Sequence, residues 1–298
     1  MDEAVSKGGR VGVVAIVGRP SAGKSSLINS LCEYDIAIVS DVPQTTRNRI
    51  RGILTRGSDQ LIFIDTPGFH ASERVFNQHM TGLIQESIRD AEIVLYVIDA
   101  SRHLGEEEEA IAKMVGAGSV PVVVAINKRD IASRKQLVEC EAFAHAMLGK
   151  AAVIPISART DEGVEALIER LISYAPEGER LYPDEFYTDQ PPEFRVAEII
   201  RGKAMHGLKQ EVPHSIYVDV ADLEVREDEL FVRAFVVVER ESQKGILVGK
   251  GGSNIKRIRQ SAQKEIASLF PYRVYLDLRV KVNPKWRNNE AVLKKLVT

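Results

Sequence analysis

The stretch GRPSAGKS at residues 18–25 decides the fold of the first half of the chain. It follows an apolar run at residues 11–17 and opens a helix-like pattern at residues 24–32. It matches G-x-x-x-x-G-K-[ST] in full, in the strand–turn–helix setting that this phosphate-binding loop requires. Its glycines let consecutive backbone N–H groups point at phosphate oxygens, and the helix N-terminus adds positive charge. A glycine-rich turn without a ligand is the alternative, and the complete motif argues against it.

The loop supplies candidates for nucleotide contact and for chemistry. Lys24 places a positive charge near the β- and γ-phosphates, which makes it a candidate catalytic residue. The hydroxyl of Ser25 is a candidate ligand of Mg²⁺. The nucleotide-binding residues predicted here are Gly18, Arg19, Pro20, Ser21, Ala22, Gly23, Lys24, Ser25 and Ser26.

Short apolar runs alternate with helix-like segments along this part of the chain. Residues 61–64, 93–98, 120–126 and 153–156 are apolar and lack the alternation of a half-buried strand. Such runs are typical of strands buried on both faces. Their repetition with helices predicts an α/β fold with a mostly parallel sheet, here a P-loop domain.

A second motif, NKRD at residues 127–130, indicates which base is bound. The Asp130 carboxylate can accept hydrogen bonds from the N1–H and 2-amino groups of guanine, and adenine has no donor at either place. The motif alone is weak. It gains force because it follows a predicted strand and comes after the phosphate loop, so the sequence predicts guanine rather than adenine.

The neighbours of Asp130 complete the predicted base site. Asn127 can bond the base or brace the phosphate loop, and the stem of Lys128 can cover the ring. Ser157 and Ala158 follow the predicted strand at residues 153–156, where a backbone N–H would suit guanine O6.

A third motif, DTPG at residues 65–68, follows the predicted strand at residues 61–64. Asp65 can hold Mg²⁺ through a water molecule, and the backbone N–H of Gly68 can reach the γ-phosphate and take part in catalysis. Its place in an ordered series of nucleotide motifs argues against a plain turn. Asp65, Thr66, Pro67 and Gly68 are therefore predicted to bind nucleotide.

Between these motifs lies PQTTR at residues 43–47. One threonine is expected to close on Mg²⁺ and the γ-phosphate in the GTP state. We assign this catalytic and metal-binding role to Thr46 in preference to Thr45.

The residue after Gly68 is Phe69, where many regulatory GTPases have a glutamine that orients water. Phenylalanine cannot do this, so hydrolysis must use another group, a positioned water or a monovalent cation. Slow intrinsic turnover is the resulting hypothesis.

Composition bounds the class of protein. The chain has 298 residues, 44% of them hydrophobic and 28% charged, which suits about two domains. Cys32 and Cys140 lie in apolar segments without metal-binding or redox spacing, as expected of buried side chains in a reducing compartment. No apolar run reaches the ~18 residues of a membrane-spanning helix, and residues 1–10 lack a signal core. These features predict a cytoplasmic protein.

The pattern changes after residue 175. Residues 176–192 hold four prolines, several acids and few aliphatic side chains, which is typical of a linker or an extended connection. The predicted division is a GTPase domain at residues 10–178, a linker at 179–192 and an α+β domain at 193–298.

The C-terminal part is basic and carries a further glycine loop. Residues 240–298 hold about 14 Lys and Arg against about four Asp and Glu, an electrostatic footprint for a polyanion. GKGG at residues 249–252 lies between apolar segments in a helix–GxxG–helix pattern, which in KH domains brings the RNA backbone close. A surface turn is the alternative. The predicted RNA-binding residues are Gly249, Lys250, Gly251, Gly252, Lys256 and Arg257.

Together these motifs resemble the Era family, bacterial-type GTPases with a C-terminal KH domain. The resemblance covers about residues 10–298, and its most specific part is the junction from Tyr182-Pro183 to residues 198–201, which generic GTPases lack. It implies a P-loop GTPase domain followed by a smaller α+β KH domain of type II. It also implies a monomer that hydrolyses GTP to GDP and phosphate with Mg²⁺.

The resemblance further implies partners. The KH domain would bind 16S rRNA near its 3′ end in the GTP state and release it on hydrolysis, during assembly of the small (30S) ribosomal subunit. Peripheral contact with the inner membrane and a potassium ion beside the phosphates are also implied. Ser21 departs from the asparagine common in relatives, which can help bind potassium, and this weakens the expectation of that ion.

Other functions are compatible with part of this pattern. A related GTPase in tRNA modification would share the motifs and stays an alternative. A GTPase with tandem GTPase domains would share them too, but the chain has one phosphate loop. An RNA-binding scaffold with structural nucleotide is compatible with Phe69. An adenine-nucleotide kinase is disfavoured by Asp130.

Overall fold

The computed structural model describes residues 8–39, 50–66, 68–69, 75–205, 216–284 and 286, with the backbone alone at 75–81 and 83. These residues divide into two compact units. The first contains residues 8–37 and 50–189, and the second contains residues 38–39 and the described residues from 190 onward.

The first unit is built around one sheet. Its strands are β1 (Gly9–Gly18), β2 (Ile50–Arg56), β3 (Asp59–Asp65), β4 (Ile93–Asp99), β5 (Val122–Asn127), β6 (Ala152–Pro155) and β7 (Glu177–Gly178). Its helices are α1 (Lys24–Cys32), α2 (Val75–Asp90), α3 (Glu106–Gly116), α4 (Arg134–Leu148) and α5 (Val164–Tyr174).

The strand order is β2-β3-β1-β4-β5-β6, with β7 pairing outside this path with β1. In this order β3, β1, β4, β5 and β6 run parallel to one another. Strand β2 is antiparallel to β3, and β7 is antiparallel to β1. All residues of β4 are buried, as its apolar run predicts. The predicted α/β fold with a mostly parallel sheet is confirmed.

The sheet positions the functional motifs at one edge. In a parallel sheet the carboxyl ends of the strands lie together, and ligands bind beyond them where the strand order reverses. Here β3 ends at Asp65, β4 at Asp99 and β5 at Asn127, while β1 leads directly into the phosphate loop. The order reverses at β1, which lies between β3 and β4.

The segment that follows β7, residues 179–189, packs on the first unit. The side chain of Gln60, buried in β3, accepts from the N–H groups of Leu181 and Tyr182 at 2.9 and 3.0 Å and donates to the Tyr182 carbonyl. Arg51 of the edge strand β2 pairs with Asp189 at 2.8 Å. A buried amide and an open strand edge both require partners, and this segment supplies them. The predicted domain bounds stay a prediction, and residues 179–189 form an ordered strap, an extended connection held by the first unit.

The second unit has an α–β–β–α–α–β order. Its elements are α6 (Pro192–Met205), β8 (Tyr217–Arg226), β9 (Glu229–Val238), α7 (Glu241–Val248), α8 (Ser253–Leu269) and β10 (Arg273–Val282). The sheet order is β10-β9-β8, with β9 parallel to β10 and antiparallel to β8. The sequence also predicts a helix at the C-terminal end, but residues 287–298 lie outside the described residues.

The core of the second unit follows from two periodicities. Alternate residues of β9, beginning at Leu230 and ending at Val238, are buried. Helix α8 turns Ile258, Ala262 and Ile266 toward the same core at a four-residue spacing. This α+β unit is the smaller domain that the sequence predicts. Among the described residues, no helix is both long enough and apolar enough to cross a membrane.

Candidate functional site

The phosphate loop has a backbone that only glycine tolerates at two positions. Gly23 has φ 94°, and a Cβ there would lie 2.2 Å from the side-chain nitrogen of Asn127. A Cβ on Gly18 would lie 2.4 Å from the carbonyl oxygen of Val97. Both distances are too short for any side chain. The two glycines of the motif are therefore required by close packing as well as by phosphate access.

Lys24 is buried at the start of α1. Its Nζ donates to the carbonyl oxygens of Gly18 and Arg19, each at 3.0 Å, so the side chain spans the loop. Burial lowers the pKa of Lys24 to about 8, and the negative charges of Asp65 and Glu108 oppose that shift. The loop thus presents a desolvated ammonium, and an anionic ligand would favour its charged form.

Ser25 and Asp65 meet beside the loop. The Ser25 hydroxyl donates to a carboxylate oxygen of Asp65 at 2.9 Å, and Asp65 is fully buried. Hydroxyl and carboxylate oxygens are the hard donors that Mg²⁺ takes in nucleotide sites. The donor set therefore fits magnesium. Thr66, also buried, donates to the carbonyl oxygen of Ile16 at 2.6 Å and fixes the end of β3 against β1.

Gly68 and Phe69 lie against the phosphate loop. A Cβ on Gly68 would lie 2.7 Å from Cα of Pro20, so glycine permits this approach. The Phe69 N–H donates to the Gly18 carbonyl at 3.2 Å, and its side chain packs against the core of the first unit. The ring is therefore a packing group. Thr46, its alternative Thr45, and Pro67 lie outside the described residues.

Asn127 braces the phosphate loop, one of the two roles that the sequence predicts for it, and its contact with the base stays a prediction. Its side-chain nitrogen donates to the Ala22 carbonyl at 2.9 Å, and its side-chain oxygen accepts from the Ala158 N–H at 3.0 Å. One amide thus joins the phosphate loop to the turn after β6. Both polar atoms of the side chain are used in this way.

Asp130 is oriented by Ser157. The Ser157 hydroxyl donates to one Asp130 carboxylate oxygen at 2.8 Å and accepts from the Thr160 N–H at 3.2 Å. The Ser157 N–H itself donates to the carbonyl of Glu162 at 2.9 Å. Ser157 thus orients Asp130 through its hydroxyl, while its backbone N–H is bonded to Glu162. A backbone N–H of this turn that donates to guanine O6 stays a prediction.

Asp99 is a site residue that the sequence reasoning missed. It is the last residue of β4, and its carboxylate accepts from Lys128 Nζ at 2.7 Å. The signal was present, because Asp99 follows the apolar run at residues 93–98 as Asp65 follows residues 61–64. Polar residues that end parallel strands meet at the same sheet edge.

The side chain of Arg19 is held by α3 and by the turn before that helix. It pairs with Glu107 at 3.0 Å and donates to the His103 carbonyl at 3.3 Å. The four consecutive acids at residues 106–109 form the first turn of α3, where acidic side chains suit the helix dipole. One of them, Glu108, is buried and accepts from the Tyr96 hydroxyl. Burial raises the pKa of the Glu108 carboxyl, against the lowering effects of Tyr96 and Arg19. The first turn of α3 thus supports the outer side of the loop.

The glycine loop of the second unit is open. Residues 250–252 form a short 3-10 turn between α7 and α8, with positive φ at Gly249, Gly251 and Gly252. A Cβ on Gly251 or Gly252 would meet nothing within 4 Å. The side chain of Asn254 closes the turn by donating to the Ile246 carbonyl at 2.9 Å.

The candidate RNA-binding cations lie around this turn. Lys250, Lys256 and Arg257 are exposed, and the last two belong to the first turns of α8. Exposed cations beside a helix N-terminus form a surface suited to phosphate groups.

Comparison with known proteins gives consistent findings for both units. Residues 13–128 match the family model described as 50S ribosome-binding GTPase, and residues 211–287 match that of the KH domain. GTPase Era of Treponema denticola is 44% identical over 289 residues, covering 96% of this chain and 98% of that relative.

Two solved structures are similar over nearly the whole chain. Era in complex with MgGDPNP and nucleotides 1506–1542 of 16S ribosomal RNA has a TM-score of 0.92 at 34% identity, covering 96% of this chain and 98% of that one. An Era variant of Aquifex aeolicus bound to GDP·AlF4⁻ has a TM-score of 0.91 at 34% identity, with the same coverage.

Proposed function

The chain belongs to the Era family of GTPases with a C-terminal KH domain, and on that premise we propose that it binds 16S rRNA while GTP is bound and releases it on hydrolysis. The proposed setting is assembly of the small (30S) ribosomal subunit. One observation supports the proposal most directly. The Era structure that is similar over 98% of its own chain contains a GTP analogue, magnesium and a 16S rRNA segment together. The cytoplasmic location, peripheral membrane contact and monomeric state expected from the sequence stay predictions.

The nucleotide is proposed to lie at the sheet edge, with each part of it met by a different motif. The β- and γ-phosphates face the amides of residues 18–25 and the ammonium of Lys24. The guanine faces Asp130, whose carboxylate is held by Ser157 at 2.8 Å. Because Asn127 ties the Ala22 carbonyl to the Ala158 amide, the phosphate and base regions are joined before ligand arrives. Such preorganisation lowers the ordering cost of binding.

Magnesium is proposed to be held by Ser25 and Thr46 directly and by Asp65 through water. When bound, Mg²⁺ neutralises charge on the β- and γ-phosphate oxygens. The contact between Ser25 and Asp65 keeps two of these donors together in the protein itself. Thr46 is assigned from sequence alone.

Hydrolysis is proposed to proceed without a side chain that orients water from the position after Gly68. Phe69 packs into the core, while its own backbone N–H and the neighbouring Gly68 lie against the phosphate loop. Catalysis then depends on Lys24, on the Gly68 amide and Thr46 at the γ-phosphate, and on a positioned water or a monovalent cation. We therefore expect slow turnover by the protein alone. Single-turnover hydrolysis in potassium and in sodium decides whether a monovalent cation contributes.

RNA is proposed to bind at the open glycine loop. Residues 249–252 let the backbone of a single strand approach, with Lys250, Lys256 and Arg257 near its phosphates. Ile246 is 49% exposed beside the loop and offers apolar surface to a base.

The test combines base selectivity with RNA identity. Asp130→Asn should reduce the preference for GTP over ATP by at least ~10-fold, because the carboxylate that accepts from guanine is lost. RNA is crosslinked to the full chain in the presence of a non-hydrolysable GTP analogue, and the bound RNA is sequenced. The sequences should map near the 3′ end of 16S rRNA. Unchanged selectivity between GTP and ATP would contradict the assignment of Asp130 to guanine. Crosslinks spread over unrelated RNA would contradict the proposed binding of 16S rRNA.

A further inference from the structure

We propose that Asp99 is a positioning residue for the guanine site: it anchors Lys128 so that the aliphatic stem of that lysine forms a preformed wall of the base pocket. The inference rests on the proposed function and deepens it, because it assigns a role at the same site to a residue outside the nucleotide motifs.

Asp99 stands where the base site is built. It ends the buried strand β4 and is paired in register with Asn127, the last residue of β5. The two strands are parallel, so Asp99 and the residue after Asn127 leave the sheet at the same edge. The Asp99 side chain is only 3% exposed, which places a carboxylate in a largely dry position.

Both oxygens of this carboxylate are held. One accepts from the N–H and hydroxyl of Ser101 at 3.0 and 2.6 Å, and the other accepts from Lys128 Nζ at 2.7 Å. The guanidinium of Arg102 approaches the second oxygen at 3.5 Å, farther than the ammonium does. The carboxylate is therefore fixed by its own turn, and Lys128 is its shortest cationic contact.

Lys128 is held at its other end by the backbone. It has φ 65°, and its carbonyl accepts from the N–H groups of Ile131 and Ala132, both at 3.1 Å. Its Cα is thus fixed by a tight turn and its Nζ by Asp99. A four-carbon chain restrained at both ends has little rotamer freedom left.

This arrangement has a functional consequence that an ordinary ion pair lacks. The Lys128 side chain is 29% exposed and its partner Asp99 is 3% exposed, so the pair compensates a nearly buried carboxylate, as other ion pairs do. A long side chain that must be ordered by the ligand, however, weakens binding. Anchoring by Asp99 removes that ordering step from nucleotide binding, so its effect should appear in affinity.

The test uses the full chain and three probes: GDP, inosine diphosphate and pyrophosphate, all with Mg²⁺. Asp99→Asn keeps the shape of the side chain and an acceptor for Ser101 but removes the charge that holds Lys128. We expect affinity for GDP to fall roughly three- to tenfold, the equivalent of ordering one long side chain. The loss should be equal for inosine diphosphate, which lacks only the 2-amino group, and absent for pyrophosphate, which contacts the phosphate loop alone.

A second variant tests the other partner. Lys128→Met retains an unbranched stem without the ammonium, so it should show the same loss. The double variant should lose no more than the larger single loss, because each change releases the same tether. The matched control is Glu139→Gln, which breaks the exposed pair with Lys135 on α4 and should leave all three affinities unchanged.

The outcomes separate this inference from the proposed function. A wild-type chain that fails to bind GDP would remove the proposed function and the inference with it. If the wild type binds GDP and both single variants bind it within twofold of wild type, the anchoring role is wrong and the proposed function stands. A parallel loss of pyrophosphate affinity would show general damage to the site and would also overturn the anchoring role.

Discussion

Two glycine loops precede helices in this chain, GRPSAGKS at residues 18–25 before α1 and GKGG at residues 249–252 before α8. Each helix is preceded by a glycine in the left-handed region, Gly23 at φ 94° and Gly252 at φ 78°. Their surroundings differ. A Cβ on Gly23 would lie 2.2 Å from Asn127, whereas one on Gly252 would meet nothing within 4 Å.

Under the proposed function, the two loops use the same backbone property for different ligands. The first is closed by packing and by the buried Lys24, and is preorganised for one compact polyphosphate. The second is open and carries the exposed Lys250, so a flexible polynucleotide can approach it from several directions. We infer that substitutions in the closed loop act on one ligand with large effects, and substitutions in the open loop act additively with smaller ones.

The largest difference should come from the two lysines. Lys24→Ala removes the buried cation that spans the phosphate loop and should weaken GTP and GDP binding by at least ~1000-fold, as several charge-assisted contacts are lost. Lys250→Ala removes one exposed cation and should weaken RNA binding only ~3-fold. Equilibrium titration of each variant with labelled GDP and with a labelled rRNA fragment measures both. Tight GDP binding by Lys24→Ala would contradict the closed-loop description.

Glycine substitutions sharpen the same contrast at the level of a single methyl group. Gly23→Ala should lower GDP affinity ~100-fold, because the new Cβ must displace Asn127 and with it the brace to Ala158. In Gly251→Ala the new Cβ meets no atom within 4 Å. The substitution costs only the ~1 kcal/mol of backbone free energy that a left-handed residue other than glycine requires. Its RNA affinity should fall less than ~5-fold. Equal losses in the two variants would mean that packing does not distinguish the loops.

Charge reversal tests the open loop. Changing Lys250 and Gly251 together to Asp should weaken RNA binding ~30-fold at low salt and reduce the salt dependence, since phosphate contacts are lost. GDP affinity of the same variant should stay at the wild-type value. An unaltered RNA affinity would identify residues 249–252 as a surface turn.

A change of pH tests the buried lysine of the closed loop. The pKa of Lys24, about 8 in the protein without ligand, should rise when phosphates bind, because they favour the charged form. Binding then takes up a proton above pH 8, so GDP affinity should fall by up to about tenfold between pH 7 and pH 9. Titrations across this range in Lys24→Arg, which keeps its charge, serve as the control. A wild-type affinity that is constant to pH 9 would contradict the burial of a titrating Lys24.

Much of the first unit could be predicted from sequence because its signals are local. The buried strands β1, β4 and β5 are continuous apolar runs, and each motif directly follows a strand. Strand β2 was missed because IRGILTR contains Arg51 and Gly52 and lacks a clean pattern. Its pairing is decided by β3, to which it runs antiparallel.

The remaining features depend on contacts between distant residues, which a single sequence does not reveal. Gln60 holds residues 181 and 182, and Glu108 is buried by Tyr96 and Arg19 although it lies within four consecutive acids. The strap from residue 179 to 189 has no periodicity of its own, because its order comes from the edge of the sheet. Asp99 was visible as the polar end of a strand, but its contact with Lys128 required the register of β4 and β5.

The central claim is that a closed loop holds the phosphates while one carboxylate selects guanine. The most direct measurement is competitive binding of GDP, GTP and ATP to the purified full chain with Mg²⁺ present. We predict dissociation constants of about micromolar or lower for GDP and GTP, and at least ~100-fold weaker binding of ATP. Failure to capture either guanine nucleotide at such concentrations, or equal affinity for ATP, would contradict it.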